Sequence, residues 1–192
     1  PAPVVTPQLM ARIDAEVLQP FLKGIQEDGL YFRGVIYAGI MVTAEGPKLL
    51  EFNVRFGDPE TQAVLARLDS DLVEALCAVA DGRLSDVELK WSDEPAVCVV
   101  MASKGYPGHY EKGLPISGID DAEKCGCLVF HAGTASAPDG TVLTNGGRVL
   151  GVTARAKTLR AAVDKAYEGV SKISWNGAEY RHDIAHRAFG RS

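Results

Sequence analysis

Residues 48–62, KLLEFNVRFGDPETQ, decide how the rest of the chain is read. Leu49, Leu50, Phe52 and Val54 give the first half the apolar body of a buried strand, and Gly57 and Pro59 break it. Side chains two apart on a strand share a face, so Glu51 and Asn53 should point the same way. An ionised carboxylate on an apolar strand is costly without a partner. A Glu beside an Asn is a hard-oxygen donor pair, of the kind that holds Mg²⁺ jointly with phosphate oxygens. Arg55 follows at once and offers a planar fork to a carboxylate or phosphate. Gly57 permits a tight turn, Asp58 is placed to cap the next helix, and Pro59 fits that helix's first position. Spacing and residue type leave two readings open. One is a site for a metal and an anion. The other is a strand–turn–helix junction pinned by a surface salt bridge from Arg55 to Asp58 or Glu60.

The 192-residue chain is 46% hydrophobic and 23% charged, an ordinary globular balance with room for one large or two small domains. Its net charge of −5 argues against a nucleic-acid partner, which calls for a basic face. An anionic substrate would have to be gripped by local groups rather than by a global field. No apolar run approaches the length of a membrane span, and the opening residues carry no signal-peptide pattern. Cys77 and Cys98 sit in apolar runs, and Cys125-Gly126-Cys127 is too tightly spaced for a zinc half-site. All four are read as reduced thiols of a cytoplasmic protein.

Outward from the opening stretch, the pattern predicts a helix capped by Thr6, with Leu9, Ile13, Val17, Phe21 and Ile25 on one stripe. Pro20 should kink it and Gly29 should stop it. An apolar strand over 35–43, a turn at Glu45-Gly46-Pro47 and a return over 48–55 make an antiparallel hairpin. Helices follow over 60–68 and 72–80, the second capped by Ser70 or Asp71 and closed by Gly82, with Leu72, Val73, Leu76, Cys77 and Val79 buried. Residues 81–95 turn polar, and a domain boundary is placed there, giving 1–94 and 95–192. The second domain reads as a strand over 96–102, a loop over 103–112, and a short strand over 128–131. A hairpin turn at Pro138-Asp139-Gly140 leads to a strand over 141–144. A positive-φ turn at Asn145-Gly146-Gly147 precedes a strand over 148–154. Thr158 caps a helix running to residue 170. The fold expected is α/β in the broad sense: a hairpin packed with helices, then a small, mostly antiparallel domain with one main helix. His182 and His186 stand at metal-ligand spacing but lack a third ligand and are read as a solvated helix face. His131 has no Ser or Cys nucleophile at a recognisable spacing. With Asn145 and Arg148 it is expected to border the main cleft or hold turns.

EFNVRFGDPETQ resembles the signature segment of the phosphoribosylamine–glycine ligases, ATP-grasp enzymes of purine biosynthesis. The likeness extends through GVIYAGIMV at 34–42, GYPG at 105–108, HAGT at 131–134, TNGGRVLGVTA at 144–154 and YRHDI at 180–184. It implies that the chain is the C-terminal part of such a ligase: the end of the ATP-grasp domain, then the C-terminal domain. The family reaction it implies joins glycine to 5-phosphoribosylamine at the expense of ATP. The glycine carboxylate attacks the γ-phosphate, and the amine then displaces phosphate from glycyl phosphate. On that resemblance Glu51 and Asn53 match the metal pair, for Mg²⁺ or Mn²⁺. Arg55 matches the group that grips the acyl phosphate or its carboxylate precursor, and Asp58 and Glu60 are candidates to orient the substrate amine. The partners implied are ATP, glycine and 5-phosphoribosylamine, with neither nucleic acid nor membrane, in a monomer or weak dimer. Pro1-Ala2-Pro3 is an odd native opening and no phosphate-binding glycine loop precedes the signature, so the chain reads as a fragment, inactive alone. The alternatives are a related ATP-grasp carboxylase acting through carboxyphosphate, and a non-catalytic folded module. The sequence assigns no definite role to Tyr106, His131, Asn145 or Arg148.

Overall fold

The computed structural model describes residues 3–189; the first two residues and the end of the basic tail, 190–192, lie outside the described residues. The chain forms two compact units that are not consecutive stretches. One comprises residues 1–57 and 70–89, the other 58–69 and 90–192.

In the first unit, Thr6 caps α1 (Pro7–Ile13) by accepting from the Leu9 N–H at 3.2 Å, with Pro7 at the first helical position. A π turn, Asp14–Leu18, joins α1 to α2 (Gln19–Glu27), and there the Gln19 N–H reaches back five residues to the Asp14 carbonyl. Pro20 has no N–H and crowds the preceding turn, so the expected irregularity falls just before it. Past α2, Gly29 (φ 64°) closes the end: its N–H bonds the Gln26 carbonyl, and that of Leu30 bonds Ile25. Ile13 and Val17 of the expected stripe are buried.

Strands β1 (Tyr37–Thr43) and β2 (Gly46–Asn53) pair antiparallel. The turn is Ala44-Glu45 rather than 45–47, because the ladder continues to Thr43 opposite Gly46 and takes Pro47 in opposite Val42. The register slips between Gly39 and Ile40, which face Glu51 and Leu49, so Leu50 is the extra residue of a bulge. The expectation of a buried strand is corrected here, since Leu50 is 64% and Val54 72% exposed. A two-stranded ribbon has few neighbours to cover it. Phe52 is packed by the Phe21 ring of α2, with centroids 3.9 Å apart, and Val54 lies beyond the strand end.

The last helix of this unit, α3 (Leu72–Asp81), is capped by Asp71, which accepts from the Val73 and Glu74 N–H groups. It stops at Gly82, in the left-handed conformation at φ 74°. Its buried side is Ala75 and Ala78. Val73, Leu76 and Cys77, expected inside, are exposed. The helix turns its small residues inward, and hydrophobicity alone does not reveal that orientation.

The second unit holds a four-stranded antiparallel sheet in the order β4-β7-β3-β8, from β3 (Ala96–Ser103), β4 (Leu128–His131), β7 (Arg148–Arg155) and β8 (Ala178–Tyr180). β5 (Thr134–Ser136) and β6 (Val142–Thr144) form a separate hairpin about the predicted turn, where Asp139 accepts from the Thr141 N–H at 2.9 Å. Val97, Val99 and Met101 alternate inward along β3. With Val149, Val152 and Ala154 of β7, they share a core with Ala162, Val163, Ala166 and Val170 of the main helix, Leu159–Lys172, which Thr158 caps as expected. A short helix, Ile119–Lys124, adds Ala122 to this core; it went unassigned in the sequence, as did β5 and β8.

A further helix of the second unit, Glu60–Leu65, packs on β3 and β7. It ends before 68 because the chain turns to bridge Leu68 to Trp91. Pro59 occupies its N-cap position, after a cis Asp58–Pro59 bond, in place of the expected Asp58. Gly146 and Gly147 do not have the positive φ expected of them; they are small because other groups approach. A Cβ on Gly146 would stand 2.8 Å from the Gly133 Cα, and one on Gly147 would run into the Tyr106 ring. His182 lies in a bend and His186 opens a single 3-10 turn, His186–Ala188, so the two share no helix face.

Candidate active site

β2 carries Glu51 and Asn53 on one face, as period two requires, and the Asn53 Nδ2 donates to Glu51 Oε1 at 2.9 Å. Gly39 stands directly opposite Glu51, and a Cβ there would come 3.1 Å from the Glu51 Cγ. The bare backbone at Gly39 thus gives the carboxylate its room. Glu51 is exposed and Asn53 half-buried. The pair fits a divalent cation. Glu51 Oε2 and Asn53 Oδ1 take no part in the bond between the two side chains, and both are hard oxygen donors. Among the described residues no cluster of three or more His, Cys, Asp or Glu could hold a metal. A cation here would therefore draw its remaining ligands from phosphate oxygens and water, which is how Mg²⁺ is commonly held.

Arg55 lies past the end of β2, exposed, and its Nη1 donates to the Phe56 carbonyl at 2.9 Å. Asp58 and Glu60 belong to the second unit. There the Asp58 Oδ2 is paired with the Arg148 Nη2 at 3.0 Å, its carbonyl accepts from Arg148 Nη1 at 3.0 Å, and its Oδ1 accepts from Gln62 Nε2 at 3.2 Å. Glu60 opens the helix that follows, where a carboxylate meets the positive end of the dipole.

No local sequence rule announces the Arg148 contact, which spans 90 residues. The only signal available was that both partners sit inside recognisable motifs. The other uncertain residues hold turns. The Asn145 N–H bonds the Gly133 carbonyl at 2.7 Å, His131 Nδ1 lies 3.0 Å from the Thr134 Oγ1, and Tyr106 covers Gly147. Burial pushes the Cys98 and Cys127 thiols up, away from the thiolate form. Cys77, Cys98, Cys125 and Cys127 are all free. No helix among the described residues is long and apolar enough to cross a membrane.

Residues 1–61 match the family described as phosphoribosylglycinamide synthetase, ATP-grasp (A) domain, and residues 96–187 match phosphoribosylglycinamide synthetase, C domain. The chain is similar to the chloroplastic phosphoribosylamine–glycine ligase of Arabidopsis thaliana, at 50% identity over 98% of this chain and 36% of the relative. It is similar to the phosphoribosylamine–glycine ligase of Brucella melitensis biotype 1 at 47% identity, over 100% of this chain and 45% of the relative. The crystal structure of phosphoribosylamine–glycine ligase from Thermotoga maritima superposes with a TM-score of 0.77 at 35% identity, over 93% of this chain and 44% of that one. The chain thus spans under half the length of these relatives. Sequence and fold agree across both units, and the chain belongs to the phosphoribosylglycinamide synthetase family, covering the end of its ATP-grasp domain and its C domain.

Proposed function

We propose that this chain is part of an ATP-dependent ligase that joins glycine to 5-phosphoribosylamine, giving glycinamide ribonucleotide, ADP and phosphate. The observation that carries the reading is the Glu51–Asn53 pair on one face of β2, inside the stretch matching the ATP-grasp domain. Glu51 and Asn53 would hold a divalent cation, Mg²⁺ or Mn²⁺, through their hard oxygens, and it would supply charge neutralisation for a transferring phosphoryl group. Arg55 grips two oxygens of the glycine carboxylate, or of the acyl phosphate it becomes, with a fork that an ammonium cannot reproduce. The turn at Asp58 and the carboxylate of Glu60 orient the attacking amine, which needs no strong base because it is nucleophilic when neutral. A cytoplasmic location is supported by the four free thiols.

The test is Glu51→Ala in the complete enzyme, assayed for glycinamide ribonucleotide and melted in parallel. Loss of a metal ligand at a transferring phosphoryl group should cost about a hundredfold or more in kcat. Glu51 is exposed, so the melting temperature should hold. Wild-type turnover by this variant would remove the pair from the metal site.

A further inference from the structure

Three motifs of the second unit have no assigned chemistry: GYPG at 105–108, HAGT at 131–134 and TNGGR at 144–148. The structure brings them together around the start of β7. At the end of β3, the Ser103 N–H donates to the Gly147 carbonyl at 2.8 Å, and its Oγ donates to the Gly146 carbonyl at 2.9 Å. The Asn145 N–H bonds the Gly133 carbonyl, and the Gly133 N–H bonds the Arg148 carbonyl at 2.9 Å. Gly133 and Gly146 meet backbone to backbone, where a Cβ on Gly133 would come 2.5 Å from the Gly146 Cα. Tyr106 closes over Gly147. Each contact fixes the main chain of residues 145–148, and the functional side chain that leaves this scaffold is that of Arg148.

We propose that Arg148 is a positioning residue for the Gly57-Asp58-Pro59 turn of the signature segment, and that the three glycine-rich motifs exist to hold it. The inference rests on the functional reading above, because it is the substrate amine that the turn is there to receive. Arg148 uses both arms of its fork on one residue, taking the Asp58 carbonyl and the Asp58 carboxylate, each at 3.0 Å. A lone surface ion pair leaves its loop free to swing about the side-chain bonds. A main-chain contact added to it fixes the backbone itself. Gln62 takes the second carboxylate oxygen, so the Asp58 side chain is engaged on both sides. Asp58 then acts as the turn's anchor.

Two measurements decide this. In the 192-residue chain, hydrogen exchange of the peptide spanning residues 56–64 is compared for wild type, R148K and R148A. Arg148→Ala should raise exchange there by about tenfold or more while peptides of β3 and the Leu159–Lys172 helix stay unchanged. Arg148→Lys keeps the charge but loses the fork, and should fall between. In the complete enzyme, both variants should lose about tenfold to a hundredfold in kcat/KM for phosphoribosylamine, with the KM for ATP unmoved and the melting temperature little changed. Equal exchange in wild type and R148A overturns the anchor. Raised exchange with unchanged kcat/KM for the amine overturns the positioning role. Should the wild-type enzyme make no glycinamide ribonucleotide, the functional reading fails by itself and the positioning of substrate fails with it. The exchange arm still decides whether Arg148 anchors the turn.

Discussion

Arg55 and Arg148 carry the same side chain into different circumstances. Arg55 has a carbonyl beside it and stands exposed at a strand end, whereas Arg148 is committed to Asp58. If Arg55 grips a reacting carboxylate, Arg55→Lys in the complete enzyme should lower kcat/KM for glycine by about a hundredfold, on the order of 3 kcal/mol. A loop-pinning role would put the effect within about 1 kcal/mol. A loss under about threefold with an unchanged melt would make Arg55 structural. Asp183 offers a test by pH. The Arg181 guanidinium, through two bonds at 2.8 and 2.6 Å, holds the Asp183 carboxyl down at about 2, against an ordinary value of 3.8. A carboxyl depressed on folding favours the folded state above its ordinary pKa, and that preference disappears as pH falls through the folded value. Asp183→Asn should therefore flatten the acid limb of stability between about pH 4 and pH 2, followed by thermal melts; an unaltered limb would contradict the pairing. At this scale the sequence was informative where spacing is local. Glu51 and Asn53 share a face because strands have period two. It was silent on Arg148 and Asp58, because no local rule links residues 90 positions apart.

Among the elements, the segment after β8 is tied to the main helix through a tyrosine hydroxyl. Tyr167, on the main helix, donates to the Arg181 carbonyl at 2.6 Å and accepts from the Ile184 N–H at 3.1 Å. Tyr167→Phe leaves both backbone groups without that partner and should cost roughly 1–3 kcal/mol, read by chemical denaturation. A change within about 0.3 kcal/mol would show that water replaces the hydroxyl. The long helices, β3 and the hairpin were legible because their patterns run over many residues with clear caps and turns. What escaped was set by neighbours. The bulge at Leu50 breaks alternation without any Gly or Pro at that position. The Leu72–Asp81 helix buries alanines that a hydrophobic count ranks below its leucines. The glycines at 146 and 147 serve close approach rather than positive φ, and a sequence does not distinguish those two uses.

For the whole molecule, the feature to weigh is the ownership of residues 58–69, which sit in sequence between parts of the first unit but pack in the second. Their helix covers β3 and β7, and strand β7 grips the segment at both ends. Arg148, its first residue, takes Asp58, and Arg155, its last, takes the Ala66 carbonyl at 3.2 Å and the Asp69 carboxylate at 3.0 Å. The Leu68–Trp91 bridge and the Asp69 N–H on the Lys90 carbonyl tie it further. Cutting the polypeptide between 89 and 90 would therefore sever a covalent link without separating the halves. The piece 1–89 carries a helix whose docking site lies on 90–192, much as a plug carries its own pins. Coexpressed as two polypeptides, 1–89 and 90–192 should copurify. Removing 58–69 from the first should abolish the association, and 90–192 alone should melt lower than the intact chain. Independent migration of the two pieces on a sizing column would show that the grip is too weak to hold them. If they stay together, the protein is a natural split pair, able to be divided, labelled on each half and rebuilt by mixing.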